Sequence, residues 1–183
     1  MRALILGGTA ESRELALLLL QSGWRVTSSL AGRVKEPKLP LGEVRIGGFG
    51  GPPGLARWLM DHEVDLVVDA THPFAEKISI SAAEATRATG IPLIALHRPA
   101  WTPENYDEWI YVNDMEEAAR MAERYHHIFL TIGRQKLAPF ANDSHNLYVI
   151  RSVDPPEGPL PKRHRLILSR GPFSVQDEKQ LMR

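Results

Sequence analysis

The chain opens on an unbroken apolar run, Ala3-Leu4-Ile5-Leu6, which stops at Gly7-Gly8-Thr9 and turns into a helical pattern with Leu15, Leu18 and Leu19 on one face. A run without polar alternation predicts a strand covered on both sides. Thr9 suits the N-cap of the helix that follows, Glu11 complements its dipole, and Gly23 stands where a terminating glycine belongs. The same alternation then repeats. Residues 24–30 read as a second strand ending in Ala31-Gly32-Arg33, and residues 43–46 as a third running into Gly47-Gly48-Phe49-Gly50-Gly51. Residues 52–62 carry Leu55, Leu59 and Met60 at helical spacing, and residues 64–69 form a strand of central character. That strand meets Ala70-Thr71-His72-Pro73-Phe74. Pro73 is expected at the first position of a helix that runs to Thr89 and closes on Gly90. Residues 91–96 predict a fifth strand.

From Arg98 the texture changes to Pro99, Trp101, Pro103 and Asn105, a linker-like crossing. A second alternating unit follows. Its predicted elements are a strand at 109–112, a helix at 114–125 capped by Asp114 with Ala118, Met121 and Ala122 on its apolar face, and a strand at 128–132. Strands at 147–151 and 166–169 flank a proline-rich loop at 155–161, and Ser174 suits the N-cap of a last helix. This order predicts an α/β protein: two Rossmann-like lobes with parallel sheets, over residues 1–97 and 98–183. The chain stops at Arg183 inside the last helix with no strand after it, so the second lobe is expected to be incomplete.

Charge and composition narrow the function. Lys plus Arg and Asp plus Glu both number 22, so the net charge is zero and nucleic acid is an unexpected partner. Without cysteine, thiolate chemistry and iron–sulfur ligation are excluded, and a cytoplasmic setting fits. No membrane-spanning run, secretion signal or metal-ligand spacing is visible, and a monomer or small homo-oligomer is expected. A Walker A motif, a nucleophile elbow and a Tyr-x-x-x-Lys pair are all missing.

Ligands of parallel α/β sheets sit beyond the carboxyl ends of the strands, where this sequence gathers its small and polar residues. Gly7, Gly8 and Thr9 open a helix whose amides can hold a phosphate, although a tight turn alone would also require the glycines. The second strand ends without the acid that grips a ribose 2′-hydroxyl. It offers Ser28, Ser29 and then Arg33, which point to a 2′-phosphate and NADPH. Ala70 is small enough for a ligand to lie close, Thr71 can donate or accept, and His72 is a candidate proton donor near neutral pH. Arg98, Arg134, Lys136 and Arg170 follow other strand ends. Together they predict a cleft for a polyanionic substrate, against the alternative that each forms its own surface ion pair.

Leu6-Gly7-Gly8-Thr9-Ala10-Glu11-Ser12-Arg13, Ala31-Gly32-Arg33, Asp69-Ala70-Thr71-His72-Pro73-Phe74-Ala75, Thr131-Ile132-Gly133 and Arg170-Gly171-Pro172-Phe173 together resemble the precorrin-6A reductase family of cobalamin biosynthesis. The resemblance runs over essentially the whole chain. It implies NADPH-dependent reduction of one double bond of a tetrapyrrole carrying many carboxylates, to give precorrin-6B. It also implies a further segment after the Arg-Gly-Pro-Phe helix. Gly7, Gly8 and Thr9 would take the pyrophosphate, Ser29 and Arg33 the 2′-phosphate side, and Gly48 with Ala70, Thr71 and His72 the nicotinamide side. Arg98, Arg134, Lys136 and Arg170 would meet the substrate's carboxylates. The alternatives are an NADH-dependent cobalt-precorrin-6A reductase, a nonenzymatic NADP-sensing module and a sugar-nucleotide or other small-molecule dehydrogenase.

Overall fold

Leu4 and Leu6 point to one face of the first strand and Ile5 to the other, and all three are fully buried. The computed structural model describes residues 1–32, 38–96, 98–99 and 101–182. It divides the chain into two units, Met1–Thr102 and Pro103–Arg183.

The first unit contains β1 (Arg2–Leu6), α1 (Ala10–Gln21), β2 (Arg25–Leu30), β3 (Glu43–Ile46), α2 (Gly51–Asp61), β4 (Leu66–Asp69), α3 (Glu76–Thr89) and β5 (Leu93–Ala95). All neighbouring strands are parallel, in the order β3-β2-β1-β4-β5. Ala16 of α1 packs with Ile5, Val26, Val68 and Ala70 on one face, while Leu55 and Leu59 of α2 and Ala82 and Ala85 of α3 pack with Leu4, Leu6 and Val67 on the other. The expected layering of helices on both faces is therefore present. It leaves β1 central and places the reversal of strand order between β1 and β4.

The second unit contains α4 (Met115–Ala122), β6 (His127–Leu130), β7 (Leu147–Ser152), β8 (His164–Leu168) and α5 (Val175–Leu181). Its sheet is parallel, ordered β6-β7-β8. Tyr148 and Ile150 of β7 pack on one face with Leu130, Leu137, Phe140 and Ala119. The Tyr148 hydroxyl donates to Asp143 Oδ2 at 2.8 Å. Burial works against the Asp143 carboxylate, but donors from the His145 and Asn146 amides, the Asn146 side chain and Tyr148 more than offset it and lower its pKa. Tyr148 is pushed the other way, first by burial and then by that hydrogen bond. On the opposite face, the Arg151 guanidinium lies 3.8 Å from the Phe173 ring centre and donates to Glu178 Oε1 at 2.7 Å.

Two local expectations fail for identifiable reasons. Pro73 does not open α3, which begins at Glu76. The His72 imidazole accepts the Phe74 amide at 3.2 Å, and the Ala75 amide closes back on the His72 carbonyl at 2.8 Å, so a separate turn precedes the helix. Residues 109–112 are not a strand: Trp109, Ile110 and Tyr111 are exposed and pair with no strand among the described residues. Their β propensity finds no sheet to join. Between β6 and β7 the chain forms two short 3-10 turns, Arg134–Lys136 and Ala138–Phe140, that the hydrophobic pattern did not announce.

Candidate functional site

The carboxyl edge of the first sheet is assembled from backbone and short side chains. β1 ends at Leu6, and the Gly7 amide continues its pairing by donating to the Ser29 carbonyl at 3.0 Å. Gly8 has φ +120°, a conformation that side-chain-bearing residues rarely adopt, and the space above it is open. Thr9 caps α1, its Oγ1 accepting the Ser12 amide at 3.1 Å. The same hydroxyl donates to the Ala70 carbonyl at 2.9 Å, tying the end of β1 to the end of β4 where the strand order reverses. Ser12 Oγ takes the Gly8 and Thr9 amides, both at 3.2 Å. Those two expected phosphate donors are therefore engaged within the turn, leaving the first-turn amides of α1 without backbone acceptors, although that of Glu11 meets its own carboxylate. Ser12 escaped the sequence reading, although Thr-x-x-Ser at a helix start is a capping-box spacing.

Beyond β4, the buried Asp69 accepts from the Thr71 hydroxyl at 2.7 Å and from its amide at 3.1 Å, so Thr71 is held rigidly at the edge. His72 is exposed. Because its Nδ1 accepts the Phe74 amide, the neutral ring carries its proton on Nε2, a donor not used within the turn. Phe74 lies beside it at 4.9 Å between ring centres.

Ser29 is buried at the end of β2 and accepts from Arg45 Nη1 at 3.2 Å. Ser28, on the opposite face, is buried with no partner for its hydroxyl among the described residues. Arg33 lies outside the described residues. Gly48 follows β3, and the space over it is open, as it is over Gly8. The strand order separates Gly48 from Thr71 and His72: β3 and β4 are three strand spacings apart, about 14 Å, on opposite sides of β1. A single nicotinamide ring does not bridge them, whereas an extended dinucleotide does.

Arg98 pairs with Glu11 through Nε at 2.7 Å and Nη2 at 2.9 Å. The Arg98 hydrogen bond is the leading cause that lowers the Glu11 pKa to about 2. Arg98 thus neutralises a carboxylate in the first turn of α1.

In the second unit, Arg134 and Lys136 lie in the turn after β6, and Arg170 follows β8. The strands are parallel, so these residues belong to the same edge of that sheet, on either side of β7 and about 10 Å apart in strand spacing. Arg134 donates to Glu157 Oε1 at 3.1 Å, while Lys136 and Arg170 are exposed. Arg151 was missed because its partners, Phe129, Phe173 and Glu178, are distant in sequence.

Comparison with known proteins agrees with this architecture. The profile described as precorrin-6x reductase CbiJ/CobK matches residues 2–183. A precorrin-6A reductase of Rhodococcus erythropolis is 50% identical over 184 residues, covering 100% of this chain and 74% of the relative. A cobalt-precorrin-6A reductase of Priestia megaterium is 34% identical over 152 residues, covering 82% of this chain and 59% of that protein. A solved CobK precorrin-6A reductase superposes with a TM-score of 0.90 at 41% identity, covering 100% of this chain and 73% of the other. With its parallel sheets, its glycine turn and its cation-bearing second edge, this chain belongs to the precorrin-6x reductase family.

Proposed function

We propose that the chain reduces precorrin-6A to precorrin-6B with NADPH, in cobalamin biosynthesis. The observation that carries this reading is the edge at the reversal of strand order, where Thr9 links β1 to β4 and the space over Gly8 is open, in a chain of this family. The residues fit a dinucleotide. A Cβ built on Gly8 or Gly48 meets nothing within 4 Å, so backbone can approach a flat or phosphate-bearing ligand at both places. NADPH supplies the hydride when bound.

The chain's own residues divide the remaining work. Gly7, Gly8 and Thr9 shape the turn, and the first-turn amides of α1 hold the pyrophosphate with Arg98 cancelling the nearby Glu11 charge. Ser29, Arg33 and Gly48 serve the adenosine side, with Arg33 gripping the 2′-phosphate. Ala70, Thr71 and His72 serve the nicotinamide side. Adding hydride to a carbon–carbon double bond also requires a proton, which the His72 imidazolium or solvent supplies, since the neutral ring would be left as an imidazolate. Arg134, Lys136 and Arg170 receive the peripheral carboxylates of the macrocycle by charge-assisted hydrogen bonds. The higher identity to the precorrin-6A reductase than to the cobalt-precorrin enzyme favours the metal-free substrate.

The test is purified protein with NADPH and precorrin-6A, followed through loss of nicotinamide absorbance. Arg33→Ala should raise KM for NADPH about tenfold, about 1.4 kcal/mol, and leave KM for NADH nearly unchanged. An equal effect on both cofactors removes the 2′-phosphate role. His72→Ala should lower kcat by roughly a hundredfold or more if it delivers the proton, and a loss under about threefold assigns that proton to solvent.

A further inference from the structure

Arg45 lies on β3 beside the end of β2, and its guanidinium faces inward. Nη1 donates to Ser29 Oγ at 3.2 Å and to the Gly47 carbonyl at 2.7 Å, and Nη2 donates to the Gly48 carbonyl at 2.8 Å. The Phe49 ring packs across the guanidinium, 3.7 Å from carbon to ring centre. One side chain therefore closes the Gly47–Phe49 segment onto the end of β2.

The geometry of the peptide bond gives this closure a consequence. In a trans peptide the carbonyl and the following amide point in opposite directions, and these bonds are trans. With the Gly47 and Gly48 carbonyls drawn to Arg45, the Gly48 and Phe49 amides turn away from it. Neither amide has an acceptor among the described residues. The segment is seated from the other side as well: a Cβ on Gly54 of α2 would come within 1.8 Å of the Phe49 carbonyl oxygen, so helix and loop touch backbone to backbone. The result is a pair of adjacent donors held in place, with open space over Gly48.

We propose that Arg45 is a positioning residue for the adenosine half of the dinucleotide, its guanidinium fork orienting the Gly48 and Phe49 amides toward sugar or phosphate oxygens. This rests on the dinucleotide reading above and adds to it a residue that does not itself touch the ligand. The adenosine half is assigned because β3 and β2 lie on the side of β1 away from His72. A lysine cannot replace the fork, because a single ammonium does not span acceptors on a strand and a loop while stacking on a ring.

The experiment measures binding of adenosine 2′,5′-bisphosphate and of nicotinamide mononucleotide to the full chain by calorimetry, for the wild type, Arg45→Met and Arg45→Lys. The bisphosphate should bind at least tenfold more weakly to Arg45→Met and at least fivefold more weakly to Arg45→Lys, with the mononucleotide within twofold of wild type in both. Full rescue by lysine would show that charge alone matters and would overturn the positioning role. So would wild-type affinity in Arg45→Met, or equal weakening of both fragments. If Arg45→Met does not fold, Arg45→Lys decides by the same criteria. Failure of the wild type to bind either fragment would instead sink the dinucleotide reading, and this inference with it.

Discussion

The carboxyl edges of the two sheets are built from opposite materials. The first is backbone and short side chains: Gly8 in a left-handed conformation, Thr9 bonded to the Ala70 carbonyl, Thr71 held by Asp69. Among the described residues its two well-placed arginines are already occupied, Arg45 with loop carbonyls and Arg98 with Glu11. The second edge carries long cations, Arg134, Lys136 and Arg170, with Arg151 stacked on aromatic rings beneath. Backbone suits a ligand that must lie close and in one orientation, because amides and glycines leave room and do not move. Long cations suit a ligand whose charges are spread around a rim, because reach matters more than close approach.

The contrast extends to what holds each unit together, and three substitutions probe it. Asp143→Ala should have the largest effect. It strands the buried Tyr148 hydroxyl and the Asn146 amide together, at about 3 kcal/mol. Amide hydrogen exchange should accelerate at Tyr148–Ile150 and stay unchanged at Leu4–Leu6. Equal acceleration in both would show that the units unfold together and erase the distinction between them. Gly54→Ala comes next, at about 2 kcal/mol, because its Cβ would overlap the Phe49 carbonyl and push the loop off α2. The loss should appear in exchange from the first unit and in weaker NADPH binding, with the second unit unaffected.

Arg98→Ala should have the smallest effect on stability, below about 1 kcal/mol, since both partners are largely exposed. Its pH dependence has a definite sign. Glu11 titrates at about 2 in the folded chain, against about 4.3 for an unperturbed glutamate. The pair therefore stabilises fully above the unfolded value and loses its contribution as pH falls from about 4.3 toward 2. Denaturant titrations should show wild type and variant separated at neutral pH and converging across that acid window.

Much of the scaffold was readable one segment at a time. The apolar run of β1, the Thr9 cap of α1, the Gly90 terminus of α3 and the Asp114 and Ser174 caps depend on residues within a few positions of one another, so local pattern was enough. Residues 109–112 misled because β propensity is only realised beside a partner strand. Pro73 misled because the His72 side chain competes for the Phe74 amide. Arg45 and Arg151 went unnoticed as organising residues because their partners are brought near only by folding.

The order of apolar runs and glycine turns by itself determined an α/β chain of parallel strands with its polar residues gathered at the strand ends, because those patterns follow from backbone geometry and burial. Only the tertiary structure decided which strand ends are neighbours. The order β3-β2-β1-β4-β5 set Gly48 apart from His72 and joined Thr9 to Ala70, and folding brought Arg45 to the loop carbonyls and Arg98 to Glu11. The physical reason is that a hydrogen bond is satisfied by whichever group folding brings within reach, and sequence spacing does not encode that distance.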